Sequence, residues 1–264
     1  MKKSFQSKLM LAVFVLLGMS LVGSAPAATS SKPTIVLGHG AFADSSSWNG
    51  VVKRLLDRDF SVIATANPLR SVKNDADYVT SIVEHIPGQV VLVGHSYGGS
   101  VISGAALGND KVKALVYVAA FAPDVGESAI DLSGKFPGST LGSALALPVV
   151  LPNGGTDLYI QQRKFRSQFA ADVSVGEAKL MAASQRPIAE AALHEASGIP
   201  AWKTTPSWFI FGTADKNIPL AGLSFMAQRA DAKRTVAIEG ASHVVMVSHP
   251  DAVAKIIIEA AVTR

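Results

Sequence analysis

VVLVGHSYGG, residues 90–99, runs from four apolar, β-favouring positions straight into a glycine-rich turn. Val90–Val93 read as a buried strand. Gly94-His95-Ser96-Tyr97-Gly98 matches the pattern G-x-S-x-G, and small residues (Gly99, Ser100, Ala105, Ala106) mark the helix that follows. The pattern has a steric cause. A serine lifted from a strand on so sharp a turn has a strained backbone, and its neighbours two positions either side must lack a Cβ or strand and helix collide. The result is an exposed hydroxyl, with the next backbone N–H free to bind an oxyanion. Alone, the five residues are also compatible with a glycine turn and an idle serine. Set between an apolar run and a helix, they are specific.

Working outward, apolar runs and amphipathic stretches alternate. Thr34–Leu37 reads as a strand. A helix over about Trp48–Asp57 follows, with Asp44 or the adjacent serines as its cap. Phe60–Ala64 is the next strand. Val72, Ala76, Val79, Val83 and Ile86 then form one stripe at helical period, stopped by Pro87-Gly88. Val112–Ala119 is another strand. This order, β, α, β, α, β, α, β, demands crossover connections and predicts an α/β fold with a mostly parallel sheet covered on both faces.

The rhythm breaks at Phe121 and resumes near Ala201. The intervening stretch reads as a mainly helical cap over the edge where Ser96 emerges, with helices at Val175–Gln185 and Ile188–Ala196. Leu145, Leu147, Val149, Leu158, Phe165, Phe169 and Met181 are candidates for its underside, ordinary packing being the alternative for each. Ser207–Phe211 and Thr235–Ile238 read as the last strands, with a helix from Pro219 to about Ala230 between them. A closing helix opens at Pro250, with Val253, Ile256, Ile257 and Ala260 as its stripe.

Composition narrows the function classes. The chain has 264 residues, is 48% hydrophobic and contains no cysteine, which excludes disulfides, thiolate metal sites and a cysteine nucleophile. Its formal net charge of +4 counts Lys2, Lys3 and Lys8, without which 21 basic face 20 acidic residues. No basic cluster remains to suggest nucleic acid. Lys2 and Lys3, the apolar run Leu9–Leu17 and the small-x-small triplet Ala25-Pro26-Ala27 read as a signal peptide, an uncleaved anchor being the alternative. The expected organisation is therefore residues 1–27 as leader, 28–120 and 201–264 as core, and 121–200 as cap. The mature chain is expected to be exported, periplasmic or secreted, without stable membrane association.

A serine hydroxyl needs a base, and the base needs a carboxylate to fix its tautomer. Functional groups in open parallel sheets gather at the carboxyl ends of strands. Asp215 and His243 each follow a strand, giving the order Ser96, Asp215, His243. His249 competes with His243, and Asp124 with Asp215. His39 adjoins the loop after the first strand and is read as ordering backbone. His95 is read as turned from the pocket, His85 and His194 as surface. The oxyanion donors are expected from the N–H of Tyr97 and of Ala41, with Phe42 as the fallback for Ala41. This set calls for no metal and no cofactor.

The elbow, the HGAF loop at His39–Phe42, Asp215 and His243 together resemble the α/β-hydrolase fold superfamily, over essentially the whole mature chain. HGAFADSSSW and SHVVMVSHP are similar to bacterial esterase-like hydrolases related to the plant methylesterase and hydroxynitrile lyase group. Lyases of that group carry threonine after the loop histidine and lysine after the catalytic one, where this chain has Gly40 and Val244. Ester hydrolysis is therefore the implied reaction. The expected substrate is a small, neutral, partly apolar ester held among Phe42, Phe121, Phe165, Tyr97 and Val244. A cofactor-free perhydrolase of the haloperoxidase type and a slow-turnover ligand receptor are the alternatives.

Overall fold

The computed structural model describes residues 32–263, so the leader expected over 1–27 lies outside them. In chain order come β1 (Thr34–Gly38), a 3-10 turn at Ser45–Trp48, α1 (Asn49–Leu56), β2 (Val62–Thr65), α2 (Val72–Glu84), β3 (Val90–His95), α3 (Tyr97–Ala105) and β4 (Val112–Val118). Then follow α4 (Ala129–Gly134), α5 (Leu141–Ala144), β5 (Val149–Val150), β6 (Thr156–Leu158), α6 (Gln162–Phe169), α7 (Val175–Ser184), β7 (Ile188–Ala189) and α8 (Glu190–His194). The last elements are β8 (Ser207–Gly212), α9 (Leu220–Arg229), β9 (Arg234–Ile238), α10 (Val245–Ser248) and α11 (Pro250–Val262). No helix among the described residues is long and apolar enough to cross a membrane.

The main sheet has the order β2-β1-β3-β4-β8-β9, and every neighbouring pair is parallel. Strand order reverses between β1 and β3. Right-handed crossovers therefore place α1 on one face and α2 and α3 on the other. The packing agrees: α1 lies on α11, and α2 on α3. A reversal of this kind opens a crevice beyond the carboxyl ends of β1 and β3. Both β3 and β8 are buried at every position, which is why they read as continuous apolar runs rather than alternating ones.

Two local expectations are corrected. Phe60 does not begin β2. Its N–H closes the turn after α1 on the Leu55 carbonyl, while its ring packs into the core. The stretch between β4 and β8 is not purely helical, since β5, β6 and β7 form a small antiparallel sheet. Ile188 and Ala189, expected to begin a helix, pair with Leu158 and Asp157 instead. Leu147 is 90% exposed beside this sheet, and Val149 is exposed on it.

Leu92 is fully buried at the centre of β3. Leu92→Ala is expected to lower unfolding free energy by about 2–5 kcal/mol in urea titrations, and Leu147→Ala to change it by less than about 0.5 kcal/mol.

Candidate active site

Ser96 stands between β3 and α3 at φ 54° and ψ −124°, a conformation that L-residues avoid unless their surroundings hold them in it. The surroundings do so here. The Ser96 carbonyl accepts from the N–H groups of Gly99 at 3.0 Å and Phe121 at 3.1 Å, and its own N–H reaches the Val118 carbonyl at 3.3 Å. A Cβ on Gly94 would lie 2.5 Å from the Gly98 carbonyl oxygen, and one on Gly40 would lie 2.6 Å from the Ser96 Cβ. The loop after β1 thus rests directly on the serine.

His243 follows β9 and Asp215 follows β8. Nδ1 of His243 lies 2.6 Å from Asp215 Oδ2, with both side chains almost fully buried. The other carboxylate oxygen accepts from the backbone N–H of Asn217 at 2.7 Å and Ile218 at 3.0 Å. A carboxylate beside Nδ1 makes that nitrogen the donor and leaves the lone pair of the neutral imidazole on Nε2. Ser96 and His243 line one cavity of about 190 Å³.

Of the N–H groups near Ser96, that of Phe42 is committed to the Arg186 carbonyl at 3.0 Å. Its φ of 61° puts Phe42 in the left-handed region. Ala41 and Tyr97 line the cavity. Tyr97 is the first residue of α3, so its N–H has no intrahelical acceptor. Its ring is buried, with the hydroxyl donating to Asp75 on α2 at 3.0 Å. Tyr97 therefore does not serve the cavity as an aromatic wall.

The remaining candidates fall elsewhere. Asp124 pairs with Lys203 at 2.5 Å, which holds its carboxyl below the usual range. His249 sits with Ser248 at 2.9 Å and Asp172 at 3.7 Å, outside the cavity. Asp44 caps the 3-10 turn by accepting from the Ser46 N–H. His85 bonds the Ser81 carbonyl on the surface. His194 is exposed but stands at the cavity wall with Glu190, a position its helical surroundings did not signal. Among the described residues, no three His, Asp or Glu side chains are grouped to hold a metal.

Two histidines have structural tasks beside the site. His39 Nδ1 donates to the Gly40 carbonyl at 2.9 Å, and Asn67 ties the His39 carbonyl at 2.9 Å, so the loop before Ala41 is held from both sides. His95 is fully buried, and its Nε2 donates to the His243 carbonyl at 3.2 Å. That second contact was missed by reading His95 only as turned away. Burial pushes His39 down to about 4 and His95 well below the usual imidazole range.

Phe42 and Phe121 line the cavity as expected, together with Leu145, Leu158 and Phe169. Two assignments are withdrawn. Val244 is fully buried in the core and Phe165 lies behind Phe169, its ring centroid 5.0 Å away, so neither lines the cavity. Met181 lines a separate groove of about 260 Å³ against the 3-10 turn.

The His39 shift fixes a pH dependence. Its folded value, about 4, lies below the ordinary 6.5, so the unfolded chain takes up the proton first as pH falls. Stability is full above pH 6.5 and declines from there to pH 4, by about 3 kcal/mol from this residue, with His95 acting in the same direction. Urea midpoints measured from pH 7 to pH 4 are expected to show this decline, and His39→Gln to make it shallower, the share due to His95 remaining.

Three comparisons bear on this arrangement. An α/β hydrolase of Aspergillus novofumigatus (strain IBT 16806) is 34% identical over 116 residues, covering 37% of this chain and 46% of that protein. The chain spans between 46% and 63% of the length of the curated relatives it matches. Polyneuridine aldehyde esterase superposes with a TM-score of 0.75 at 20% identity, covering 87% of this chain and 99% of that one. A methylesterase from Arabidopsis, MES16, superposes at 0.69 with 18% identity, covering 86% and 98%. At these identities the superpositions speak for the fold. The profile of the alpha/beta hydrolase family matches residues 35–256, nearly the whole of the described chain, and to that family the protein belongs.

Proposed function

We propose that the protein is a serine esterase acting on small, neutral, partly apolar carboxylic esters. The observation that carries the reading is the buried Asp215–His243 pair at 2.6 Å, which leaves a basic imidazole nitrogen at the cavity that Ser96 also lines. Catalysis requires the bound substrate complex to bring Ser96 Oγ within hydrogen-bond reach of His243 Nε2. His243 Nε2 takes the hydroxyl proton as Ser96 Oγ attacks the ester carbonyl. The N–H groups of Ala41 and Tyr97 bind the tetrahedral oxyanion. His243 returns the proton to the leaving alcohol, and a water activated by the same nitrogen frees the acid from Ser96. Asp215 stabilises the imidazolium at both stages. The relatives named as esterases favour this reading, and the leader sequence supports export as the setting in which it works.

Ser96→Ala is expected to lower kcat for p-nitrophenyl acetate by at least about 10³-fold, and Asp215→Asn by at least about 10²-fold, with circular dichroism unchanged. Retention of most activity by folded Ser96→Ala protein would overturn the assignment.

A further inference from the structure

Just after Gly40 the chain passes from one hollow to another. Ala41 lines the catalytic cavity of about 190 Å³, and Ala43 lines the groove of about 260 Å³ against the 3-10 turn. Phe42, between them, lines both, and among the described residues it is the only one common to the two walls. At that point the two spaces are one residue apart. Glycine and alanine occupy positions 40, 41 and 43, so the Phe42 ring is the only large group in this part of the loop.

The ring is held where it is against resistance. Phe42 has a φ of 61°, a region that sterics make unusual for a bulky side chain. Its N–H is tied at 3.0 Å to the Arg186 carbonyl, just beyond the end of α7. Its ring meets that of Phe169 edge to face, with centroids 6.2 Å apart, and the residue is 3% exposed. Strained backbone persists only where the surroundings over-determine it, and such positions gather at ligand sites. A glycine would take up the same backbone conformation freely, but it would put no ring between cavity and groove.

We propose that Phe42 is a specificity-determining residue, which closes the catalytic cavity on the side of the groove and so limits the length of apolar chain a substrate can carry. The preferred substrates are short-chain esters. A chain that outgrows the cavity meets the Phe42 ring instead of entering the groove, whose wall includes Met181 and Val247. This rests on the esterase reading of Ser96, and the experiment separates the two.

The ratio of kcat/KM for p-nitrophenyl octanoate to that for p-nitrophenyl butanoate tests it. Each methylene taken from water into an apolar site is worth roughly fourfold. The wild-type protein is expected to forfeit that gain and to favour butanoate. In Phe42→Gly the ratio should rise at least about tenfold. Phe42→Leu keeps part of the side chain and should raise it less, which covers the case of a glycine variant that does not fold. Met181→Trp fills the groove from its far side. It should return the ratio of Phe42→Gly towards the wild-type value and leave that of the wild-type protein unchanged. Calorimetric Kd values of methyl butanoate and methyl octanoate on Ser96→Ala protein, with and without Phe42→Gly, read the same limit without turnover. Absence of all hydrolysis would therefore sink the esterase reading while leaving the length limit measurable. A wild-type preference for octanoate, a ratio unmoved by the Phe42 variants, or a gain that Met181→Trp does not reverse would overturn the proposal.

Discussion

Where β3 ends, the Gly94 and Gly98 backbones pass so closely that a Cβ on Gly94 would lie 2.5 Å from the Gly98 carbonyl oxygen. That approach forces Ser96 into its positive φ, at a cost of about 1–3 kcal/mol. The cost is offset by the fully buried β3 on one side and by two backbone donors on the Ser96 carbonyl on the other. It also settles what lies nearby. Because β1 neighbours β3 in the sheet, the loop after β1 arrives beside the serine. It can lie against the elbow only because position 40 carries no side chain. The strand order and two or three missing methyl groups thus bring a hydroxyl, a helix N-terminus and a second loop together before any catalytic group is considered.

The electrostatics of the site follow from burial. Three buried imidazoles lie in or beside it, and among these only His243 has a carboxylate beside Nδ1. His39 and His95 are kept neutral by desolvation, the largest cause of both shifts. Each has one nitrogen occupied by a backbone carbonyl and the other left without a partner. As neutral donors they hold the Gly40 and His243 carbonyls and add no charge. This matters most for His95, whose ring centroid is 4.8 Å from that of His243. Two imidazolium ions at that distance would repel each other. Burial of His95 therefore adds to the loss of stability in acid.

What the sequence showed and what it hid divide along physical lines. The elbow was legible because its glycines are steric requirements of a few adjacent residues. Asp215 and His243 were legible because strand ends in a parallel sheet converge on one edge. Val244 and Phe165 were misplaced because an apolar residue next to a site looks the same whether it faces the cavity or the core. The strands β5 and β7 are two residues long, too short to show a period. The missed contact of His95 depends on the His243 carbonyl, 148 positions away, for which no local pattern exists.

The stretch between β4 and β8 is best regarded as part of the site's framework. It touches the functional loops at separate points. The Arg186 carbonyl accepts the Phe42 N–H, so one contact both ties this stretch to the loop after β1 and occupies the Phe42 donor. Thr140 and Gln168 both donate to the Lys216 carbonyl, clamping the turn that carries Asp215. Arg70, at the turn before α2, binds Asp157 at 2.6 Å and the Pro187 carbonyl at 3.0 Å. Glu195 accepts from the first N–H groups of α2 at Val72 and Lys73, where the helix dipole favours a carboxylate. Groups sharing such contacts do not respond independently to change. A stretch held only by apolar packing could slide without disturbing those loops. One fastened to the loop after β1 and to the turn that carries Asp215 cannot, so the shape of the cavity and the placement of that turn depend on the same hydrogen bonds.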